Sequence, residues 1–263
     1  MESSLTWTDF YQKYFDAETC LAEFFRPESE FESDSVAQPM GQISNFFASG
    51  SLKGDILIVY GAVINLHLIC PACDHFKEII LMDVLDTHLQ YVTQWKNNHP
   101  QSFDWKQSFK SVQKSEEREQ WTEKEEKLKQ SIQLIEKIDL DESGREVLKI
   151  FPQADCLFSP YHLTMLCKDH DSFISSVKNM SSLLKVGGHL IISVFIQCTY
   201  LYIETLKFPV LCIEEDFVRK VLSAQGFVIK EAIMTPRINQ TKFSVMDFKS
   251  ILFVFAHKIK NVQ

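Results

Sequence analysis

The sequence predicts an α/β fold, a largely parallel sheet with helices on both faces. Apolar runs of strand length, rich in Ile, Val and Phe, recur at Asp55–Tyr60, Glu78–Met82, Ala154–Ser159, His189–Ile196, Phe227–Met234 and Ser250–His257. Helical patterns alternate with them at Thr8–Phe25, Asp86–Asn97, Gln120–Lys137, Asp171–Leu184 and Glu214–Ala224. Alternation of this kind returns the chain over both faces of a parallel sheet.

Asp86 and Asp171 stand where N-caps belong. The first fifty residues contain no strand pattern and carry the acidic stretch Glu28–Asp34, so they read as a helical cap (1–50) on a core of 51–263, all within one domain. The run Ser115–Lys129 places Glu and Lys at helical spacing and reads as a solvated helix face.

Composition narrows the function. A chain of 263 residues that is 45% hydrophobic can bury one large core. The net charge of −8, from 27 basic and 35 acidic residues, repels phosphate, which argues against nucleic acid and acidic membrane as partners. The N-terminus carries acids and aromatics in place of a signal peptide's basic patch. The longest apolar run, Ile56–Cys70, is too short to span a bilayer and contains Asn65 and His67. A cytoplasmic monomer is expected.

Seven dispersed cysteines suit buried free thiols in a reducing compartment. Only Cys70-Pro71-Ala72-Cys73 has motif spacing, and no second C-x-x-C or H-x-x-x-H completes a zinc site, so packing thiols near a helix end are expected. The eight histidines show no metal spacing, and His67 reads as a core residue.

Gly54–Asp83 reads as strand, turn, helix and a second strand ending in an acid. Asp83 follows Gly61 by 22 residues, the spacing at which a nucleoside-binding sheet sets a carboxylate against ribose hydroxyls, although a lone strand-end acid would look the same. Together with SFDWK at Ser102–Lys106, EKEEKLKQ at Glu123–Gln130, ADCLFS at Ala154–Ser159 and LLKVGGHLII at Leu183–Ile192, this segment makes the chain resemble the nicotinamide, indolethylamine and phenylethanolamine N-methyltransferase family. The resemblance runs from Met1 to about Lys258. It implies a class I methyltransferase, a Rossmann-like seven-stranded sheet with its last strand antiparallel, under an N-terminal helical lid. It also implies S-adenosyl-L-methionine (SAM) as cofactor and a small amine or pyridine as methyl acceptor.

Carried over residue by residue, the resemblance gives an uneven site. Tyr11, Gly61, Ala62, Asp83, His88, Asp139 and Leu140 fall at cofactor-binding positions, and Phe24 and Tyr200 at substrate positions. Of the family's Asp-Ile-Gly-Ser-Gly-Pro-Thr loop, Val59-Tyr60-Gly61-Ala62-Val63-Ile64-Asn65 keeps one glycine of two. Val59 replaces an acid, and Val63 adds a branched side chain where the cofactor's methionine end should pass. Lid tyrosines become Cys20, Phe24 and Phe25, while Pro160 stands in place of a threonine. On the acceptor side Val194, Cys198, Leu201 and Val210 replace polar groups, which disfavours nicotinamide.

No residue is singled out as catalytic. Three readings follow: an N-methyltransferase with an apolar acceptor, a pseudoenzyme with weak or absent SAM binding that works through a protein partner, and redox chemistry at Cys70 and Cys73. Apolar strand positions persist while polar site positions are replaced, as in a chain relieved of catalysis; the expectation is a member of the N-methyltransferase family with turnover left open and nicotinamide disfavoured, and the pseudoenzyme is the alternative.

Overall fold

The structure, a computed structural model, describes residues 7–24, 34–61, 65–105, 118–138, 150–237 and 245–262, with only the backbone at 23–24, 34–40 and 118–121. The six strands expected from sequence all form: β1 Gly54–Tyr60, β2 Phe76–Asp83, β4 Ala154–Pro160, β5 Leu184–Ile196, β8 Phe227–Pro236 and β9 Ser250–Lys258. With β3 (Ile132–Lys137) they build a seven-stranded sheet in the order β3-β2-β1-β4-β5-β9-β8. Strands β3 to β5 run parallel to one another, and β9 is antiparallel to both β5 and β8. The order reverses between β1 and β4, and in such sheets the crevice beyond the carboxyl ends of those two strands is where ligands bind.

Strand β3 corrects the expected helix Gln120–Lys137. The helix α6 (Arg118–Ser131) ends at Ser131, and Ile132–Lys137 pairs with β2 through Leu81↔Ile135 and Asp83↔Lys137. Edge pairing in the sheet overrides a Glu/Lys pattern that continues at helical spacing. Likewise Thr8–Phe25 is not one helix but α1 (Trp7–Tyr14) and α2 (Ala17–Phe24), because the Asp16 carboxylate accepts the Thr19 N–H at 2.7 Å and starts a new helix.

The caps also differ from expectation. Leu85, not Asp86, is the N-cap of α5 (Asp86–Lys96), and the Asp86 carboxylate instead takes Gln12 Nε2 at 3.0 Å and Lys137 Nζ at 2.8 Å. Asp169, not Asp171, caps α8 (His170–Leu183), in a reciprocal box with Ser172. The remaining described helices are α3 (Asp34–Ala48), α4 (Leu66–Ile69), α7 (His162–Leu166) and α9 (Glu215–Ala224), and a 3₁₀ turn at Cys70–Asp74 follows α4. The run read as a solvated face is only partly so, since Leu128 and Lys129 of α6 are buried.

Also unforeseen is a hairpin of β6 (Tyr200–Ile203) and β7 (Leu206–Pro209). Helix α1 lies on it, with Phe10, Tyr11 and Phe15 packed around Phe208 at ring separations of 5.3, 5.0 and 5.8 Å. Trp7 Nε1 donates to the Met165 carbonyl at 2.8 Å, fixing the lid to α7. At the far end of the sheet the buried Lys258 ammonium donates to the Ser181 and Leu184 carbonyls at 2.5 and 2.7 Å, satisfying the C-terminus of α8.

Candidate active site

The carboxyl ends of β1, β2 and β4 meet beneath α1 and the hairpin. The Gly61 N–H donates to the Met82 carbonyl at 2.6 Å, so the turn after β1 is joined to the residue before Asp83. Gly61 has φ +76°, a conformation that favours glycine. Asp83 is fully buried; Oδ1 accepts the Leu85 N–H at 3.0 Å and Oδ2 lies 2.8 Å from His88 Nδ1. Since a carboxylate can only accept, His88 Nδ1 is the donor, and this fixes the ring's orientation. Burial alone would raise the Asp83 pKa, but the charge and hydrogen bond of His88, the His162 ring and the Leu85 N–H outweigh it and bring it down to about 2.

His162, the first residue of α7, enters the same cluster from β4. Its backbone is turned inward by Tyr161, a non-glycine residue at φ +56° whose N–H donates to the Ser193 carbonyl at 2.7 Å and whose ring stacks on Phe195 at 4.9 Å. That packing holds an otherwise disfavoured conformation. The imidazole lies on Gly61: a Cβ built there would fall 1.9 Å from His162 Cγ. Tyr60 meets the ring edge-on at 5.7 Å. Burial lowers the His162 pKa to about 4, with Asp83 pulling upward and His88 downward, so the ring is neutral near pH 7. Nε2 of His162 and Nε2 of His88 are both buried with no hydrogen-bond partner among the described residues. Phe15 closes the cluster from the lid, 5.0 Å from His88 and edge-on.

Of the sequence-predicted residues, Gly61, Asp83 and His88 come together here. Tyr11 is fully buried nearby, yet its hydroxyl donates to the Pro209 carbonyl at 2.8 Å, tying lid to hairpin. Tyr200 lies on β6, partly exposed, with the Lys207 ammonium 4.5 Å above its ring. Phe24 ends α2, and its side chain is not described. Ala62, Asp139 and Leu140 lie outside the described residues, as does Val63. Val59, Cys20, Val194, Cys198, Leu201 and Val210 are all buried.

Sequence reasoning missed His162, Tyr161 and Phe15. For His162 a signal existed: it sits just past the end of a strand that neighbours β1 in the fold, where polar residues reach the crevice. His67 is buried against Trp105, and burial lowers its pKa to about 3.

Cys70 and Cys73 are buried, as expected; burial raises the Cys70 thiol far up and, with Asp74, brings Cys73 to about 11, the reverse of what a reactive thiol needs. Among the described residues no group of three His, Cys, Asp or Glu could hold a metal ion, and no helix is long and apolar enough to cross a membrane.

Residues 3–259 match the protein family described as the NNMT/PNMT/TEMT family. The chain is 30% identical over 233 residues to nicotinamide N-methyltransferase of Homo sapiens, covering 88% of each chain. It is 27% identical over 261 residues to indolethylamine N-methyltransferase of Oryctolagus cuniculus, covering 98% of each. Phenylethanolamine N-methyltransferase of Rattus norvegicus is also 27% identical, over 93% of this chain and 92% of that one.

Among solved structures, magnesium protoporphyrin IX methyltransferase from Synechocystis PCC 6803 with bound SAM superposes with a TM-score of 0.58 at 14% identity, over 98% of this chain and 100% of that one. The [4+2]-cyclase SpnF superposes at 0.59 and 11% identity, over 96% of both. Both share the class I methyltransferase fold, which therefore accommodates different chemistries and does not by itself assign one.

Proposed function

Since this chain belongs to the NNMT/PNMT/TEMT family of SAM-dependent small-molecule N-methyltransferases, we propose that it is a non-methylating member, one that keeps the fold and acts as a binding or regulatory protein. Methyl transfer to nitrogen requires the sulfonium methyl in line with a neutral lone pair, and positioning supplies most of the rate. The observation that carries the reading is the His162 ring packed against Gly61 at the carboxyl ends of β1 and β4, beside the buried Asp83–His88 pair.

At the adenosine end Asp83 matches a ribose-binding acid, and each of its oxygens holds one protein donor while keeping a second acceptor site for a ribose hydroxyl. The methionine end does not fit: the space over Gly61 is taken, Val59 is a buried apolar residue in place of an acid, and the Tyr11 hydroxyl is committed to Pro209.

A second reading, an N-methyltransferase for an apolar amine or pyridine, is favoured by the buried Val194, Cys198, Leu201 and Val210 at the acceptor positions. Incubation with methyl-labelled SAM and a panel of amines and pyridines decides between the two. The proposed function expects no labelled product, and turnover of any acceptor establishes the second reading.

A further inference from the structure

We propose that His162 is a built-in occupant of the crevice at the carboxyl ends of β1 and β4, and that exchanging its ring for a smaller side chain uncovers a binding site for a ribonucleoside, held through its ribose diol. The inference rests on the non-methylating reading above and deepens it, by naming one side chain whose volume keeps that reading true. The ring stands where a Cβ on Gly61 would be, at the carboxyl end of β1 and next to Asp83, where the crevice of such a sheet opens.

Three features make this placement a property of the fold rather than one rotamer among many. The left-handed Tyr161 directs His162 inward, and the Ser193 carbonyl and Phe195 ring hold Tyr161 in that conformation. Trp7 fixes α7 from the lid by its bond to Met165, while the Leu211 N–H fixes it from the other side through the Thr164 carbonyl at 2.7 Å. The third bears on replacement: His162 Nε2 is buried without a hydrogen bond among the described residues, so shrinking the ring breaks none. Replacement by a small side chain therefore removes bulk without stranding a partner.

What remains once the ring is gone is chemically specific. Asp83 is a buried, ionised acceptor next to a glycine turn, and His88 Nε2 is a second polar atom at the same wall. A carboxylate that accepts two hydroxyl hydrogen bonds suits a ribose diol, and the apolar walls of Phe15 and Tyr60 suit a nucleoside better than a phosphate, which Asp83 would repel.

Isothermal titration of adenosine and of S-adenosylhomocysteine into the full chain tests this, using wild type, His162→Ser, His162→Asn and His162→Phe, each checked for folding by circular dichroism. The expected result is no saturation in wild type or His162→Phe up to millimolar ligand, and at least a tenfold gain in affinity in either small variant. If wild type binds at micromolar concentration, His162 does not close the site and the inference is overturned, while the non-methylating reading still stands or falls by the labelled-methyl assay. If wild type is silent and a folded small variant is silent too, the reading stands and the inference is overturned. Equal gains in His162→Phe and His162→Ser also overturn it, since ring volume would then not be the obstacle. Nuclear Overhauser contacts between the Gly61 Hα protons and the His162 ring in wild-type protein give an independent check that needs no variant; they are expected to be strong, and their absence overturns the placement.

Discussion

His88 Nδ1 lies 2.8 Å from the Asp83 carboxylate, and both side chains are buried. A buried carboxylate is tolerated only when its lone pairs are met, so the pair is a structural element in its own right. His88→Leu removes the donor and leaves the charge uncompensated. It is expected to cost about 3 kcal/mol in urea denaturation, in line with breaking a buried pair. His88→Asn, which can still donate, is expected to recover most of that loss.

Acid sensitivity follows from the two buried histidines. His162 and His67 have folded pKa values lowered to about 4 and about 3, below the unfolded value near 6.5. The unfolded chain therefore binds more protons between these limits, and stability falls as pH drops from about 6.5 toward 4. Each histidine contributes up to about 1.4 kcal/mol per pH unit within its window. Asp83, lowered to about 2, adds a loss of the same sign below pH 3.8. Denaturation midpoints measured between pH 7 and pH 4.5 check the slope, and in His162→Asn it should be shallower by about one proton.

Tyr11→Phe separates two roles for a hydroxyl that the family resemblance assigns to the cofactor. The loss of its bond to the Pro209 carbonyl is expected to cost about 1 kcal/mol in stability, with no change in the response to SAM.

Lys258 is buried and serves two carbonyls at the end of α8, and burial lowers its pKa. Lys258→Met leaves the Ser181 and Leu184 carbonyls unmet and is expected to lower stability by about 2 kcal/mol, read from chemical denaturation.

Thiol labelling of the native protein is expected to give one rapid equivalent, at Cys212. That residue is exposed, whereas Cys20, Cys70, Cys73, Cys156, Cys167 and Cys198 are buried. Rapid modification of Cys70 or Cys73, or a reversible bond between them, would reinstate redox chemistry.

Much of this was legible in the sequence because it is local. The strand β1, the glycine turn, β2 and the acid at its end follow one another within Gly54–Asp83, and their spacing placed Asp83 beside Gly61. Strand β3 was not legible, since Ile132–Lys137 continues the charge pattern of the helix before it and becomes a strand only by pairing with β2. The hairpin was hidden because its strands are short and gain their stability from α1. His162 was legible only as a polar residue just past a strand end. Its part in the site comes from contact with Gly61 across the β1–β4 boundary, and from a left-handed tyrosine that no spacing rule announces.

The central claim is that the native crevice does not accept SAM, and thermal melting of wild-type protein with and without SAM tests it most directly. A ligand present at a hundred times its dissociation constant stabilises a protein by about 2.7 kcal/mol, several degrees for a domain of this size. The predicted result with 1 mM SAM is a shift of less than about 1 °C. A shift of several degrees, saturating at micromolar SAM, would contradict it.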